Sequence, residues 1–506
     1  MASPTDEKLA GSKHGVEPAS SDASIRYGAV TDEREAREVF KTSADGVDFR
    51  TITWQRLIII LLKVQVATGV LSIPSALGSL GAVPGAICIV GWQALNTYTA
   101  CLLIDFRNRH SHCHTIVDMC GVMWGPIGRE LVGFMFLVAF ILCCGSGLLG
   151  TSIAFNALTE HATCTVWFSF VSTILIITYS SIRTWDKMTW PMTLAFMSVM
   201  GGVLAVVVGV SLTDRPAAAP AEGDFELGFY VIAHPTFAAG VTAAATIFIS
   251  SAAGPVYLPV IAEMKRPQDY RKAVIPVGIM VGSIYLSLSM VVYYYCGRWI
   301  ATPSLGSAGP LIKRIAYGIA LPSLIVSAGI FNHAAAKYAF VRLLRNSSHF
   351  QANTWQHWGT WLGLNISFGF LAFVFASAIP VFNYILALAG SVCFAPMSLI
   401  FPALMWMYDI GPKYKNGGLA GKAFYGFHIL ILAVGVFMTV GGIYGTAESI
   451  RQTAMRWSFL ALLLLHVPFI LNGLVGGFFW ARELVELEGR MVQHYRDNME
   501  TARRKE

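Results

Sequence analysis

Twelve apolar runs of about membrane-crossing length constrain this chain more than any other feature. They are 57–80, 82–104, 131–158, 164–182, 190–212, 237–262, 273–297, 315–336, 358–379, 380–407, 423–445 and 457–480. A helix needs about 20 mostly apolar residues to cross the hydrocarbon core. In lipid the backbone must be satisfied within the segment, so these runs are expected to be helices. Transmembrane barrels instead show short alternating strands. Only 13% of residues are charged, against about 25% in soluble domains. The expected fold is an all-α integral membrane protein.

Lys and Arg concentrate in alternate connections: Arg107 and Arg109 after the second span, Arg183 and Lys187 after the fourth, Lys265 to Lys272 after the sixth, Arg342 and Arg345 after the eighth. Basic residues prefer cytoplasmic loops, which places both termini in the cytoplasm. Residues 1–50 are polar and read as a disordered tail. Residues 51–480 form the transmembrane domain. Residues 481–506 have apolar positions at helical spacing and read as an amphipathic tail. The net charge of +7 resides in loops and tails, with no basic stripe that would suit nucleic acid. Cys164 and Cys296 fall near the same face, so one disulfide is open to them. "HSHCHT" at 110–115 resembles a metal cluster, but its donors crowd one loop with no second pair elsewhere. Neither a P-loop nor HExxH is present. No enzyme, metal or cofactor is expected.

Two spans carry the same interruption. Gly69-Val-Leu-Ser-Ile-Pro74 in the first aligns with Gly254-Pro-Val-Tyr-Leu-Pro259 in the sixth. Proline removes an N–H and obstructs the preceding turn; glycine lets the chain leave the helix. Either break alone reads as a packing kink, because both residues are common in membrane helices. Their shared offset, five spans apart, points to two repeats with a binding site at the midplane. Free amides where a half-helix begins, near Leu71, suit a carboxylate. Carbonyls where another ends, near Ser250, suit an ammonium. Thr68, Ser72, Ser250 and Ser251 can add hydroxyls.

Lys63 is the only Lys, Arg, Asp or Glu inside the twelve spans as drawn. A charge at mid-helix costs about 2.5–3.5 kcal/mol on insertion scales. Two readings stand. Lys63 snorkels to the cytoplasmic surface as an anchor, or it couples or gates, pairing with Glu263 when an inner gate shuts or exchanging a proton. Asn332 and His333 in the eighth span face either the site or a neighbouring helix.

The run "LLKVQVATGVLSIPSALGSLGAVPG", with "EMKRPQDYRKA" after the sixth span, resembles fungal neutral amino acid permeases. These belong to the amino acid/auxin permease family of the amino acid–polyamine–organocation superfamily. The resemblance extends over about residues 50–446. It implies a LeuT-like 5+5 inverted repeat with discontinuous spans 1 and 6, plus one or two extra spans. It also implies import of amino acids, usually with protons and in some animal relatives with sodium. The substrate's backbone groups would contact Ala67, Thr68, Gly69, Val70, Leu71 and Ser72 from span 1. From span 6 they would contact Ile249, Ser250, Ser251, Ala252, Ala253 and Gly254. The family commonly has a second glycine where this chain has Ala67-Thr68, and 457–480 extends beyond its usual eleven spans. The expectation is a monomeric proton symporter for neutral amino acids in the plasma membrane, with the vacuolar membrane or sodium coupling as alternatives. A sensor of the same fold, which binds without turnover, is the rival from another class. A channel would need rings of charge or carbonyls along a pore, and charged rings are missing.

Overall fold

The computed structural model describes residues 50–456, apart from residues 67, 68, 214, 221, 346, 351 and 379–381. Both tails and the expected span 457–480 lie outside these residues. Among the described residues nine helices are long and apolar enough to cross a membrane, or ten spans if a bent pair counts as one. Thr165–Ser180 is a shorter apolar helix. The first eleven expected spans are therefore all helical.

The bent pair is α1 (Trp54–Gln65) and α2 (Gly69–Leu80), whose axes differ by 47°. α3 (Ala82–Arg109) returns. α4 (Ile116–Thr159) kinks at Gly125, where φ is 66° just before Pro126. α5 (Thr165–Ser180) and α6 (Trp185–Ser211) follow. The sixth span stops and restarts: α7 (Phe237–Ser251) ends, Ala252 and Ala253 leave the helix, and α8 (Gly254–Ile261) resumes. α9 (Arg271–Cys296), α10 (Gly309–Leu344) and α11 (Trp355–Ala378) are continuous. In the tenth span, α12 (Phe382–Ala389) passes into two π-helical stretches, Gly390–Phe394 and Pro396–Ile400, before α13 (Phe401–Asp409). Past a short turn of helix, α14 (Gly411–Lys415), α15 (Leu419–Arg456) closes the described chain.

In both interrupted spans the new helix begins at the glycine, and the proline lies one turn further on, inside it. At the sixth residue of each helix this proline removes one intrahelical hydrogen bond, whereas Pro255, at the second residue of α8, replaces a first-turn amide that has no intrahelical partner. The two breaks also touch. A Cβ on Gly69 would lie 2.6 Å from the Ser250 Cβ and Oγ, so only glycine permits this crossing.

Several polar and charged groups turn inward, among them Lys63, Glu263 and Lys337, and many large apolar side chains face out. Ile127, Leu131 and Phe134 form one stripe on α4 and are 81%, 70% and 70% exposed, as a lipid-facing surface requires. Close helix approach depends on small residues. Gly147 of α4 faces Ala328 of α10, where an added Cβ would come within 2.8 Å of the alanine Cβ. Cys164 and Cys296 are free thiols.

Gly147→Val should drive these helices apart and lower the melting temperature of the purified protein by several degrees. Gly359→Val, where nothing lies within 4 Å, should shift it far less. Equal shifts in a tryptophan-fluorescence melt would show that the helices do not meet at Gly147.

Candidate functional site

The breaks in the first and sixth spans border a cavity of about 40 Å³. A water needs roughly 10–15 Å³ by this measure, so the space has room for a few waters. Its wall comes from Val64, Gln65 and Gly69 of span 1, Cys143 of span 3, and Ile249, Ser250, Ala252, Ala253 and Val256 of span 6. Phe331 of span 8 and Leu386 and Phe394 of span 10 complete it. Among the described residues no acidic or basic side chain lines the cavity.

Of the twelve residues expected at the substrate, Gly69, Ile249, Ser250, Ala252 and Ala253 line this space. Val70, Leu71, Ser72, Ser251 and Gly254 are buried beside it. Ala67 and Thr68 lie outside the described residues. The hydroxyls turn back onto the chain: Ser72 donates to the Gly69 carbonyl at 2.9 Å, Ser250 to Thr246 at 2.9 Å and Ser251 to Phe248 at 2.8 Å.

The helix-end carbonyls are also engaged. The Tyr285 hydroxyl, from α9, lies 2.6 Å from the Gln65 carbonyl and 3.2 Å from that of Ser250. One phenol thus reaches the broken ends of both spans. The Gln65 amide donates to Gln93 at 2.9 Å and to the Ser251 carbonyl at 3.3 Å, and accepts from the Tyr257 hydroxyl at 2.7 Å. Asn96 donates to the Ser251 hydroxyl at 2.9 Å. Spans 1, 2, 6 and 7 are stitched together by this network. Sequence reasoning missed Gln65, Gln93, Tyr257 and Tyr285. Their signal was polarity inside apolar runs, with nothing to say that they converge.

Lys63 is fully buried and does not snorkel. It does not meet Glu263 either. Its Nζ reaches span 8, donating to the hydroxyls of Ser323 and Ser327 at 2.7 Å each and to the Val66 carbonyl at 3.4 Å. Glu263, just past α8, pairs with Lys337 of α10 at 2.9 Å, with side chains 0% and 1% exposed. Its other oxygen accepts from the Trp185 amide at 3.2 Å, and Lys337 also donates to the Arg183 carbonyl at 2.8 Å. The eighth span as read from sequence stopped at residue 336; the helix runs on to Leu344 and carries Lys337 inside. The chain entering span 1 adds to this face: Ile52 and Met264 form a parallel bridge, and Arg56 pairs with Asp186.

Asn332 and His333 point away from the cavity. Asn332 donates to the Ser180 hydroxyl at 2.8 Å and to the Asn365 carbonyl at 3.1 Å. The His333 ring lies between Trp185 and Trp361, with Nδ1 3.2 Å from the Ser180 carbonyl. They hold spans 4, 8 and 9 together. Among the described residues no three His, Cys, Asp or Glu are placed to hold a metal.

Comparison with known proteins agrees with this architecture. The family described as transmembrane amino acid transporter protein matches residues 50–448. A transmembrane transporter of Gibberella moniliformis is 51% identical over 458 residues, covering 89% of this chain and 96% of its own length. One from Fusarium pseudograminearum is 50% identical, covering 83% and 88%. The N amino acid transport system protein of Neurospora crassa is 28% identical, covering 80% and 86%. Among solved structures, the outward-open state of a Na+-coupled sialic acid symporter superposes with a TM-score of 0.53 at 10% identity, covering 84% of this chain and 98% of the symporter. MhsT in complex with L-phenylalanine gives the same score and identity, covering 80% and 100%. These likenesses show a LeuT-like fold.

Removing one member of a buried ion pair leaves the other without its counter-charge, at about 3–5 kcal/mol. Glu263→Gln and Lys337→Gln should each lower the melting temperature clearly, and the double variant should recover much of the loss. Additive losses would mean that the two groups do not interact. Tyr285→Phe should cost about 1–3 kcal/mol by stranding helix-end carbonyls, read in the same melt.

Proposed function

The chain belongs to the transmembrane amino acid transporter family, and on that premise we propose that it imports neutral amino acids by proton symport through alternating access. One observation carries the reading: the two helix breaks meet at a cavity whose walls hold no charged side chain. The substrate's carboxylate is met by the helix N-termini that begin at the breaks. The walls of Cys143, Ile249, Phe331, Leu386 and Phe394 suit an uncharged, apolar side chain. The Neurospora relative's name, an amino acid transport system protein, points the same way.

The moving parts follow from which contacts are dense and which are few. The network around Gln65 and Tyr285 makes spans 1, 2, 6 and 7 one body, the half of a 5+5 inverted repeat architecture that rocks. Asn332, His333 and the Gly147–Ala328 contact hold spans 3, 4, 8 and 9 as the scaffold. Across the boundary lie two lysine bridges, Lys63 to Ser323 and Ser327, and Glu263 to Lys337. Glu263 and Lys337 form the inner gate, which separates when the site opens to the cytoplasm.

Lys63 is the coupling group. Its Nζ is ringed by two hydroxyls and a carbonyl, with no carboxylate among its contacts with the described residues. Gaining or losing a proton changes the charge across the two bodies without a new partner having to form. Without an ATP-binding motif, uphill transport must draw on an ion gradient. One proton crossing about 100 mV supplies about 2.3 kcal/mol, enough for roughly a 45-fold concentration ratio.

Purified protein in liposomes should accumulate neutral amino acids when the pH is lower outside, and far less without a gradient. Lys63→Ala should abolish accumulation yet retain exchange of labelled for unlabelled substrate. Normal pH-driven uptake by Lys63→Ala would eliminate the coupling role. Binding without any uptake by the wild type would favour a sensor.

A further inference from the structure

Span 10 departs from the α-helix where it passes the central cavity. Its two π-helical stretches, Gly390–Phe394 and Pro396–Ile400, are separated only by Ala395. The Ala395 amide donates to the Gly390 carbonyl and the Phe401 amide to that of Pro396, five residues back in each case. π turns are rare, mostly single, and frequent at functional sites. Each of these runs up to a proline, Pro396 or Pro402. A proline ring clashes with the carbonyl four residues back, here that of Val392 or Ser398, and a wider turn relieves the clash.

The first wide turn decides which side chain faces the cavity. Leu386 and Phe394, eight residues apart, both line it. At 3.6 residues per turn, positions eight apart point about 80° away from each other, and positions seven apart only about 20°. In an unbroken α-helix Cys393, not Phe394, would share the face of Leu386. The wide turn takes up the extra residue and brings Phe394 round instead. Cys393 is 1% exposed and stands off the cavity wall. A bulky ring thus occupies a place that the α register gives to a small thiol.

The helix is held firmly before this stretch and smoothly after it. Gly390 packs on the broken end of span 6, where an added Cβ would lie 3.0 Å from the Ile249 Cβ and 3.3 Å from the Ala245 carbonyl oxygen. Leu399 and Ile400 rest on Gly435 of α15, which has no side chain to lock them. The present register also leaves a polar group unmet. Ser398 is 2% exposed, and its hydroxyl has no hydrogen-bond partner among the described residues. In an α turn such a hydroxyl reaches the carbonyl four residues back, as Ser391 reaches that of Ala387 at 2.8 Å. For Ser398 that carbonyl belongs to Phe394.

We propose that span 10 is a register switch that sets the size of side chain the central cavity accepts. In the present register Phe394 fills the wall, and small neutral side chains fit beside it. When the helix winds to α from Gly390 through Ser398, the extra residues pass on toward Pro402. Phe394 then turns away, Cys393 takes its place, and larger apolar side chains are admitted. This rests on the transport reading above and adds to it the residue that selects among substrates.

The test uses the full chain in liposomes and compares kcat/KM for alanine and leucine under an inward pH gradient. Phe394→Ala and the milder Phe394→Leu should both raise the leucine-to-alanine ratio several-fold. Pro396→Ala, which lets the α register form without touching the wall, should raise it too. The register itself is read by alkylating the protein with iodoacetamide and mapping the peptides by mass spectrometry. Labelling of Cys393 relative to Cys143, which already lines the cavity, should rise several-fold in Pro396→Ala. Pro402→Ala should raise neither quantity; equal changes there would mean general loosening of the helix and overturn the switch. An unchanged labelling ratio in Pro396→Ala would also overturn it. An unchanged preference in both Phe394 variants would remove Phe394 as the selecting residue. If the wild type takes up no amino acid, the transport reading falls, while the labelling ratio still decides whether the register shifts.

Discussion

A lysine buried within a membrane protein must find oxygens close by, because neither lipid nor a dry interior can solvate it. Two such lysines organise this structure. Lys63 leaves the first span to reach two serine hydroxyls on the eighth. Lys337 leaves the eighth to reach Glu263 beyond the sixth. Both bridges run between the interrupted spans and a continuous helix, and both lie on the side of the breaks where the chain enters. Each is a discrete contact that is either made or lost, with little intermediate ground, since half-separating a buried pair strands charge in a low-dielectric interior. That is the property a two-state device requires.

The interrupted helices raise a second problem of the same kind. Opening a helix in the bilayer exposes backbone groups that must be met from within the protein. Here the donors come from neighbouring helices. Tyr285 spans the ends of both first halves, and Gln65 occupies Gln93, Tyr257 and the Ser251 carbonyl at once. The cost of breaking two helices is thereby turned into a bond between four. Gly69 permits it, because only a residue without a side chain allows the breaks to approach so closely. The central cavity is what remains where the breaks fail to fill space, and its apolar walls come from the helices that enclose them.

Much of this was legible in the sequence, for identifiable reasons. Span positions follow from length and hydropathy, which the bilayer imposes. The breaks at Gly69 and Gly254 follow from a shared spacing of glycine and proline. Five residues expected to contact substrate line the cavity between the breaks, because a residue beside a break has few other places to be. What was not legible concerns partners. One reading of Lys63 paired it with Glu263, because both lay on the inner side of a break and had opposite charge; here each has a different partner on span 8. Lys337 went unnoticed because a hydropathy boundary fell one residue short of it. Asn332 and His333 were open to either reading, and the packing of Trp185 and Trp361 around the histidine turned them away from the site.

The sequence by itself determined that the chain crosses a membrane as helices, where those helices lie, and which two of them open. These are properties of contiguous segments, decided by the cost of placing backbone and side chains in hydrocarbon. Only the tertiary structure decided which oxygens hold Lys63, which lysine answers Glu263, and that one tyrosine reaches both breaks. Those groups are 260, 74 and up to 220 residues apart. Their meeting depends on the rotation and depth of each packed helix, which small residues such as Gly69 and Gly147 set through contacts that no local spacing encodes.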